Sequence, residues 1–153
     1  MVKVTYTLLI ERPAEEVFAA LTDLENTPNW QPQVIEEKLV SEGPLGVGSR
    51  IYQARWFRKQ RIESTSEVVV FEPNRRWINV GVPRPGPKLR TEYLLEPQPE
   101  STRFTFSIQL DGKGFFRLIS PLIQRSLQKD VETRFQTLKH QLEAINSRLQ
   151  PAA

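Results

Sequence analysis

The sequence predicts one α+β domain in which a curved antiparallel sheet of seven strands wraps a single long C-terminal helix, with two short helices after the first strand. Three observations predict it. Residues 2–11 alternate apolar and polar side chains, residues 33–112 break into short strand-like runs, and the chain beyond about residue 115 switches to a helical period.

The first run places Val2, Val4, Tyr6, Leu8 and Ile10 on one face and Lys3, Thr5, Thr7 and Glu11 on the other, with Leu9 as the exception. That is a half-buried strand. Pro13, Ala14, Glu15 and Glu16 then open a short helix, because proline fits a first helical turn and acids complement its dipole. Val17, Phe18 and Leu21 supply its apolar stripe, and 23–30, with Asn26, Pro28 and Asn29, reads as a second broken turn. Strands are expected over 34–42, 49–57, 60–72, 76–82, 88–96 and 102–111. Breakers separate them: a glycine-rich turn at 43–48, a hairpin near Arg58 and Lys59, a turn at 72–74, a proline–glycine loop at 83–87 and a turn at 97–101. Short connections favour antiparallel neighbours in meander order.

Ile123, Leu127, Val131, Phe135, Leu138, Leu142, Ile145 and Leu149 recur every three or four residues, which makes one continuous helical stripe. The helix is expected to begin near Gly114 and to kink at Pro121. Residues 1–150 thus form a single domain, and 151–153 are expected to be a disordered tail.

The 153 residues are 39% hydrophobic and 25% charged, the ordinary balance of a folded domain. The absence of cysteine removes disulfides, thiolate metal sites and a catalytic thiol, and the lone His140 cannot build a histidine cluster. Neither metal nor cofactor is implied. The N-terminus reads as a strand rather than a signal peptide, and no apolar run approaches the ~20 residues of a spanning helix. A cytoplasmic location is the resulting expectation.

Charge is uneven. Residues 1–49 carry 8 acids and 3 bases; residues 50–90 carry 10 bases and 3 acids. A basic face of Arg50, Arg58, Lys59, Arg61, Arg75, Arg76, Arg84, Lys88 and Arg90 would give weak contact with an anionic membrane surface. Nucleic acid is disfavoured, since there is no module signature and no basic helix.

A single helix, about 10 Å across, does not fill a curled seven-stranded sheet, so a hollow is expected between the two.

The chain resembles the START-like, or SRPBCC, superfamily, which includes polyketide cyclase/dehydrase-like, coenzyme Q-binding and birch pollen allergen relatives. The resemblance is carried by Ile10-Glu11-Arg12-Pro13-Ala14-Glu15-Glu16-Val17-Phe18, by Asp23-Leu24-Glu25-Asn26 with Trp30 and Pro32, and by Gly46-Val47-Gly48-Ser49-Arg50-Ile51 with Gln53. Phe71-Glu72-Pro73-Asn74-Arg75-Arg76 and Leu138-Lys139 with Leu142-Glu143 continue it, so that it covers nearly the whole chain. It implies the helix-grip fold. It does not select a function, because that superfamily hosts carriers, cyclases, hydrolases and chaperone partners.

Strand phase selects the inward side chains. Thr91 and Tyr93 share the face opposite Arg90 and Glu92; Phe104 and Phe106 alternate on the next strand; Trp77 and Asn79 are taken as inward. For 49–57 the residues leave two phases open. Tyr52, Ala54 and Trp56 form the more apolar face, whereas the resemblance implies that Ile51 and Gln53, and with them Arg55, point inward. The second phase is taken, and 60–72 then contributes Ser64, Ser66 and Val68. Leu118 and Leu122 from the helix complete the expected cavity, with Trp30 as a lid. An inward Arg55 would require an anion, from a ligand or from the protein.

Other patterns carry no chemistry. Ser126 and Lys129 form a Ser-x-x-Lys string on an amphipathic helix, without partner motifs. Gly43, Gly46 and Gly48 lead into a strand rather than a helix, so they cradle no phosphate. Asp23 with Glu25, and Glu36 with Glu37, are expected on the surface.

The leading expectation is a carrier or sensor that holds a small hydrophobic or amphipathic ligand, such as a lipid, an isoprenoid or an aromatic metabolite. The alternatives are a cyclase/aromatase- or dehydratase-like enzyme using Arg55, Tyr93 and Asn79 in the same cavity, and a membrane-surface or protein-interaction module using the basic 50–90 region.

Overall fold

A computed structural model describes residues 1–84 and 86–149, with 145–149 described by backbone alone. The expected tail at 151–153, and the side chains of Ile145 and Leu149 in the helical stripe, lie outside the described residues.

Seven strands form one antiparallel sheet: β1 (Val2–Ile10), β2 (Val34–Leu39), β3 (Arg50–Phe57), β4 (Gln60–Glu72), β5 (Arg76–Arg84), β6 (Lys88–Pro97) and β7 (Thr102–Asp111). Their spatial order is β1-β7-β6-β5-β4-β3-β2. After β1 the chain crosses to the opposite edge through α1 (Ala14–Thr22) and a 3-10 turn (Leu24–Asn29), then meanders back until β7 meets β1. The long helix, α2, runs over Phe115–Leu149 with Pro121 inside it. The helix therefore starts where the apolar pattern predicts. Pro121 removes the donor for the Arg117 carbonyl, but Arg117 is exposed and water can serve there. Ser120 Oγ donates to the neighbouring Phe116 carbonyl at 2.8 Å.

Two strand ends differ from the sequence reading by more than one residue. β2 stops at Leu39 rather than 42, and β5 continues through Pro83 to Arg84. Beyond Gly81, β5 pairs with β4 alone, so proline's missing donor falls on an unpaired side.

The core lies between the sheet and the C-terminal half of α2. Phe135 is fully buried against Trp30, Phe104 and Phe106, with ring centroids at 5.5, 5.0 and 4.7 Å. Toward the N-terminal half of α2 such packing gives way to space. The outer edge of β1 is tied to α2 by side chains. Gln124 accepts from Lys3 N–H at 3.3 Å and donates to the Lys3 carbonyl at 2.7 Å, and Lys139 Nζ donates to the Leu9 carbonyl at 2.6 Å.

The β3–β4 hairpin turns on Arg58 and Lys59, both left-handed at φ 52° and 68°. Two-residue turns of this hand favour Asn-Gly, so these bulkier residues carry backbone strain.

Candidate functional site

Between the sheet and the N-terminal half of α2 lies a cavity of about 670 Å³. Its walls are Ile51 and Phe57 of β3, Ile62, Ser64 and Ser66 of β4, Asn79 of β5, Leu89, Thr91 and Tyr93 of β6, and Phe106, Ile108 and Leu110 of β7. Phe116, Ile119, Ile123 and Leu127 close it from the helix. The alternation of β3, β4 and β6 and the helical period of α2 put these side chains on facing surfaces. Exposed Arg58, Gln60, Gly86 and Lys113 also line it, so the mouth lies among the β3–β4 turn, the β5–β6 loop and the start of α2.

The inner end is polar. Asp130 lies about 21 Å along the helix from Phe116 at 1.5 Å per residue. It pairs with Arg55 (Nη2 to Oδ2, 3.3 Å) and with Arg134 one turn on. Glu37 of β2 accepts from Thr27 Oγ1 at 2.7 Å and from Gln53 Nε2 at 2.5 Å. Two guanidinium groups and two carboxylates thus share one wall, and Tyr93 flanks them. Tyr93 stacks on Trp77 at 4.6 Å and meets Phe106 edge-on at 5.1 Å, which fixes the phenol ring. Arg55 Nε, Arg134 Nε, Asn79 Oδ1 and Gln31 Oε1 are buried with no hydrogen-bond partner in the protein. Two donors and two acceptors of the lining therefore have hydrogen-bonding capacity to spare.

Burial dominates the electrostatics. Desolvation lowers the Arg55 guanidinium to about 10, helped by Arg134 and opposed by Asp130 and Glu37, so it stays cationic at neutral pH. Desolvation raises the Glu37 carboxyl against its hydrogen bonds from Thr27 and Gln53 and the two arginines. The Tyr93 phenol is pushed up by burial and then by Glu37, so it stays a neutral donor. Among the described residues no group of His, Cys, Asp and Glu side chains could hold a metal ion.

The structure brings together Ile51, Gln53, Arg55, Ser64, Ser66, Asn79, Thr91, Tyr93 and Phe106 around this cavity. β3 follows the phase with Arg55 inward. Six expected lining residues lie elsewhere. Trp30 is 2% exposed and packs on Phe135, so it is core rather than a lid. Val68, Trp77 and Phe104 are buried core as well, with Trp77 stacked on Tyr93 and Phe104 packed on Phe135 of α2. Leu118 and Leu122 are 78% and 56% exposed, since Phe116, Ile119 and Ile123 take the inward positions of that part of the helix.

Three polar residues were not anticipated. Glu37 is half-buried and hydrogen-bonded to Thr27 and Gln53 rather than on the open surface, where Glu36 remains, paired with Lys38 at 3.1 Å. Asp130 and Arg134 lie beside the apolar stripe, and their spacing of one helical turn is the sequence signal that locates them. Four of the nine residues of the basic 50–90 face share three glutamates: Arg61 pairs with Glu63, Arg75 with Glu72, and Arg76 and Arg90 with Glu92.

The sequence model of the family described as polyketide cyclase/dehydrase and lipid transport matches residues 1–143. No curated protein matches the chain in sequence. Among solved structures, a START superfamily protein from Mycobacterium smegmatis superposes with a TM-score of 0.76 at 17% identity, covering 94% of this chain and 98% of its own. The Zhui aromatase/cyclase from Streptomyces sp. R1128 superposes with a TM-score of 0.71 at 16% identity, covering 99% and 97%. A conserved protein from Geobacillus kaustophilus gives 0.74 at 15% identity, covering 94% and 96%. At these identities the likeness is one of fold. No described helix is long and apolar enough to cross a membrane.

Proposed function

The chain belongs to the polyketide cyclase/dehydrase and lipid transport family, and from that starting point we propose that it is a carrier or sensor holding one small amphipathic molecule. A lipid, isoprenoid or aromatic metabolite would fit, with its apolar body along the cavity and its polar end at Arg55, Asn79 and Arg134. The observation that carries this reading is the form of the cavity: about 670 Å³, walled mainly by apolar side chains, with a cluster of charged groups at the inner end. That volume lies in the usual range of small-molecule sites. A chain of ~10 methylene groups gains roughly 8 kcal/mol on burial. That gain alone corresponds to roughly micromolar affinity, and the cost of association takes it toward about millimolar, so contacts at the polar end have to supply the rest.

The test is titration with the fluorescent probe N-phenyl-1-naphthylamine. The wild type should bind it, and decanol should displace it. Ile119 lines the cavity near the mouth, so Ile119→Trp should weaken probe binding at least about tenfold while the melting temperature stays within a few degrees. A wild type that ignores the probe, or an Ile119→Trp variant that binds it equally well, rules the reading out.

A second reading, a cyclase- or dehydratase-like enzyme in the same cavity, is favoured by the neutral Tyr93 phenol set beside Arg55 and Asn79. Such donors would polarise a ligand carbonyl. Conversion of a polyketide-like probe, lost in Arg55→Met with binding retained, would select it over a carrier.

A further inference from the structure

The outer face of α2 beside the cavity mouth has no partner among the described residues. Phe115, Leu118 and Leu122 stand 72%, 78% and 56% exposed, at intervals of three and four residues, on one stripe of the helix. The same spacing continues into Arg125 and Lys129, both exposed. From Gly112 to Lys129 the chain carries Lys113, Arg117, Arg125 and Lys129 and no acidic residue. Phe115 also lines the cavity, so the stripe begins at the mouth itself. Across the mouth, the strained turn presents Arg58 and Lys59 to solvent. Acids bound this stretch at its two ends: Asp111, the cross-strand neighbour of Lys88, precedes it, and exposed Glu132 shares a shallow surface groove with Arg125 and Lys129 at the far end.

An apolar stripe bordered by four cations over 112–129 suits a surface that is apolar below and anionic above. We propose that this face docks on an anionic lipid bilayer. Phe115, Leu118 and Leu122 enter the acyl boundary, and Lys113, Arg117, Arg125 and Lys129 sit at the headgroups. The basic strand face of 50–90 is a poorer candidate, because four of its arginines are paired with glutamates. Docked this way, the mouth opens toward lipid, and an apolar molecule would pass between bilayer and cavity without crossing water. That purpose rests on the carrier reading; the docking surface does not.

The experiment is co-sedimentation of the full chain with vesicles of phosphatidylcholine alone and of phosphatidylcholine mixed with phosphatidylglycerol. The wild type should bind the mixed vesicles at least about tenfold more strongly than the neutral ones. Raising salt from about 0.1 to about 0.5 M should erase the difference. Leu118→Gln/Leu122→Gln changes only exposed side chains outside the cavity lining and keeps good helix formers. It should weaken vesicle binding at least about tenfold with the circular dichroism unchanged. Arg125→Gln/Lys129→Gln should reduce the preference for phosphatidylglycerol.

Docking is overturned if the wild type binds neither vesicle, if it shows no preference for the anionic one, or if the leucine variant binds as well as the wild type. It is also overturned if the wild type is a dimer that the leucine variant turns into monomer, since a second copy then covers the face. Uptake of N-phenyl-1-naphthylamine from solution, measured on the same samples, separates the two proposals. Uptake without vesicle binding sinks docking alone, and vesicle binding without uptake sinks the carrier reading and supports docking.

Discussion

Asp130→Asn tests whether the polar end of the cavity faces a ligand. Asp130 is the shared anion between Arg55, 3.3 Å away, and Arg134. Replacing it turns two cations against two anions into two cations against Glu37 alone, so the site gains one unit of positive charge. A ligand anion about 6 Å away at an effective dielectric of ~20 would gain roughly 3 kcal/mol. The side chains of Arg55 and Asp130 are 18% and 23% exposed, so screening cuts this to about 1–2 kcal/mol, near tenfold in Kd. Losing one member of a buried pair costs about 3–5 kcal/mol in full burial. The same residual exposure makes about 2 kcal/mol the working figure, a drop in Tm of roughly 4–8 °C for a chain of this size. The assay is displacement of N-phenyl-1-naphthylamine by decanol and by decanoate at pH 7. The ratio of their affinities should move about tenfold toward decanoate in the variant. A Tm that falls as expected while the ratio stays fixed would refute the argument, because the charged cluster would then be structural and turned away from the ligand.

Two further outcomes follow from named residues. Burial holds the Glu37 proton to higher pH in the folded state than the ordinary 4.5 of the unfolded chain. Stability contributed at this site is therefore highest below that value, falls as pH rises toward the raised folded value, and levels off above it. Glu37→Gln removes the slope, so its Tm should improve relative to wild type as pH rises above 4.5; a difference that ignores pH contradicts a desolvated carboxyl. At the β3–β4 turn, Arg58→Asn/Lys59→Gly relieves two left-handed non-glycine residues at about 1–2 kcal/mol each, less the entropy glycine adds to the unfolded chain. A net gain of about 1 kcal/mol should raise Tm by ~2–4 °C, and an unchanged Tm in differential scanning calorimetry would show the turn to be unstrained.

The fold was legible because each element carries its own period and its own breaker. The alternation of β1, β6 and β7 and the stripe from Ile123 onward are local signals, and short connections between strands leave few topologies. The cavity was legible only in part, because facing is local and depth is not. Alternation puts Phe104 and Phe106 on one face, yet only Phe106 reaches the cavity, because Phe104 lies where α2 already packs on the sheet. Leu118 and Leu122 read as inward from hydrophobicity alone, while Phe116, Ile119 and Ile123 hold that side. Glu37 and Asp130 are acids in sequence like any others. What buries them is the approach of β2, β3 and α2, a tertiary event that no local period encodes.

The sheet order carries a consequence for synthesis. Of the seven strands of the sheet, the one made first pairs with the one made last, since β1 pairs with β7 through Val2↔Leu110. Gln124 and Lys139, which cover its free edge, come later still. Until β7 has emerged, β1 is an unpaired amphipathic strand, and closure must join segments far apart in sequence, which slows folding. A chain cut short before β7 would leave that strand without its sheet partner, so such truncations should produce aggregation rather than partial function.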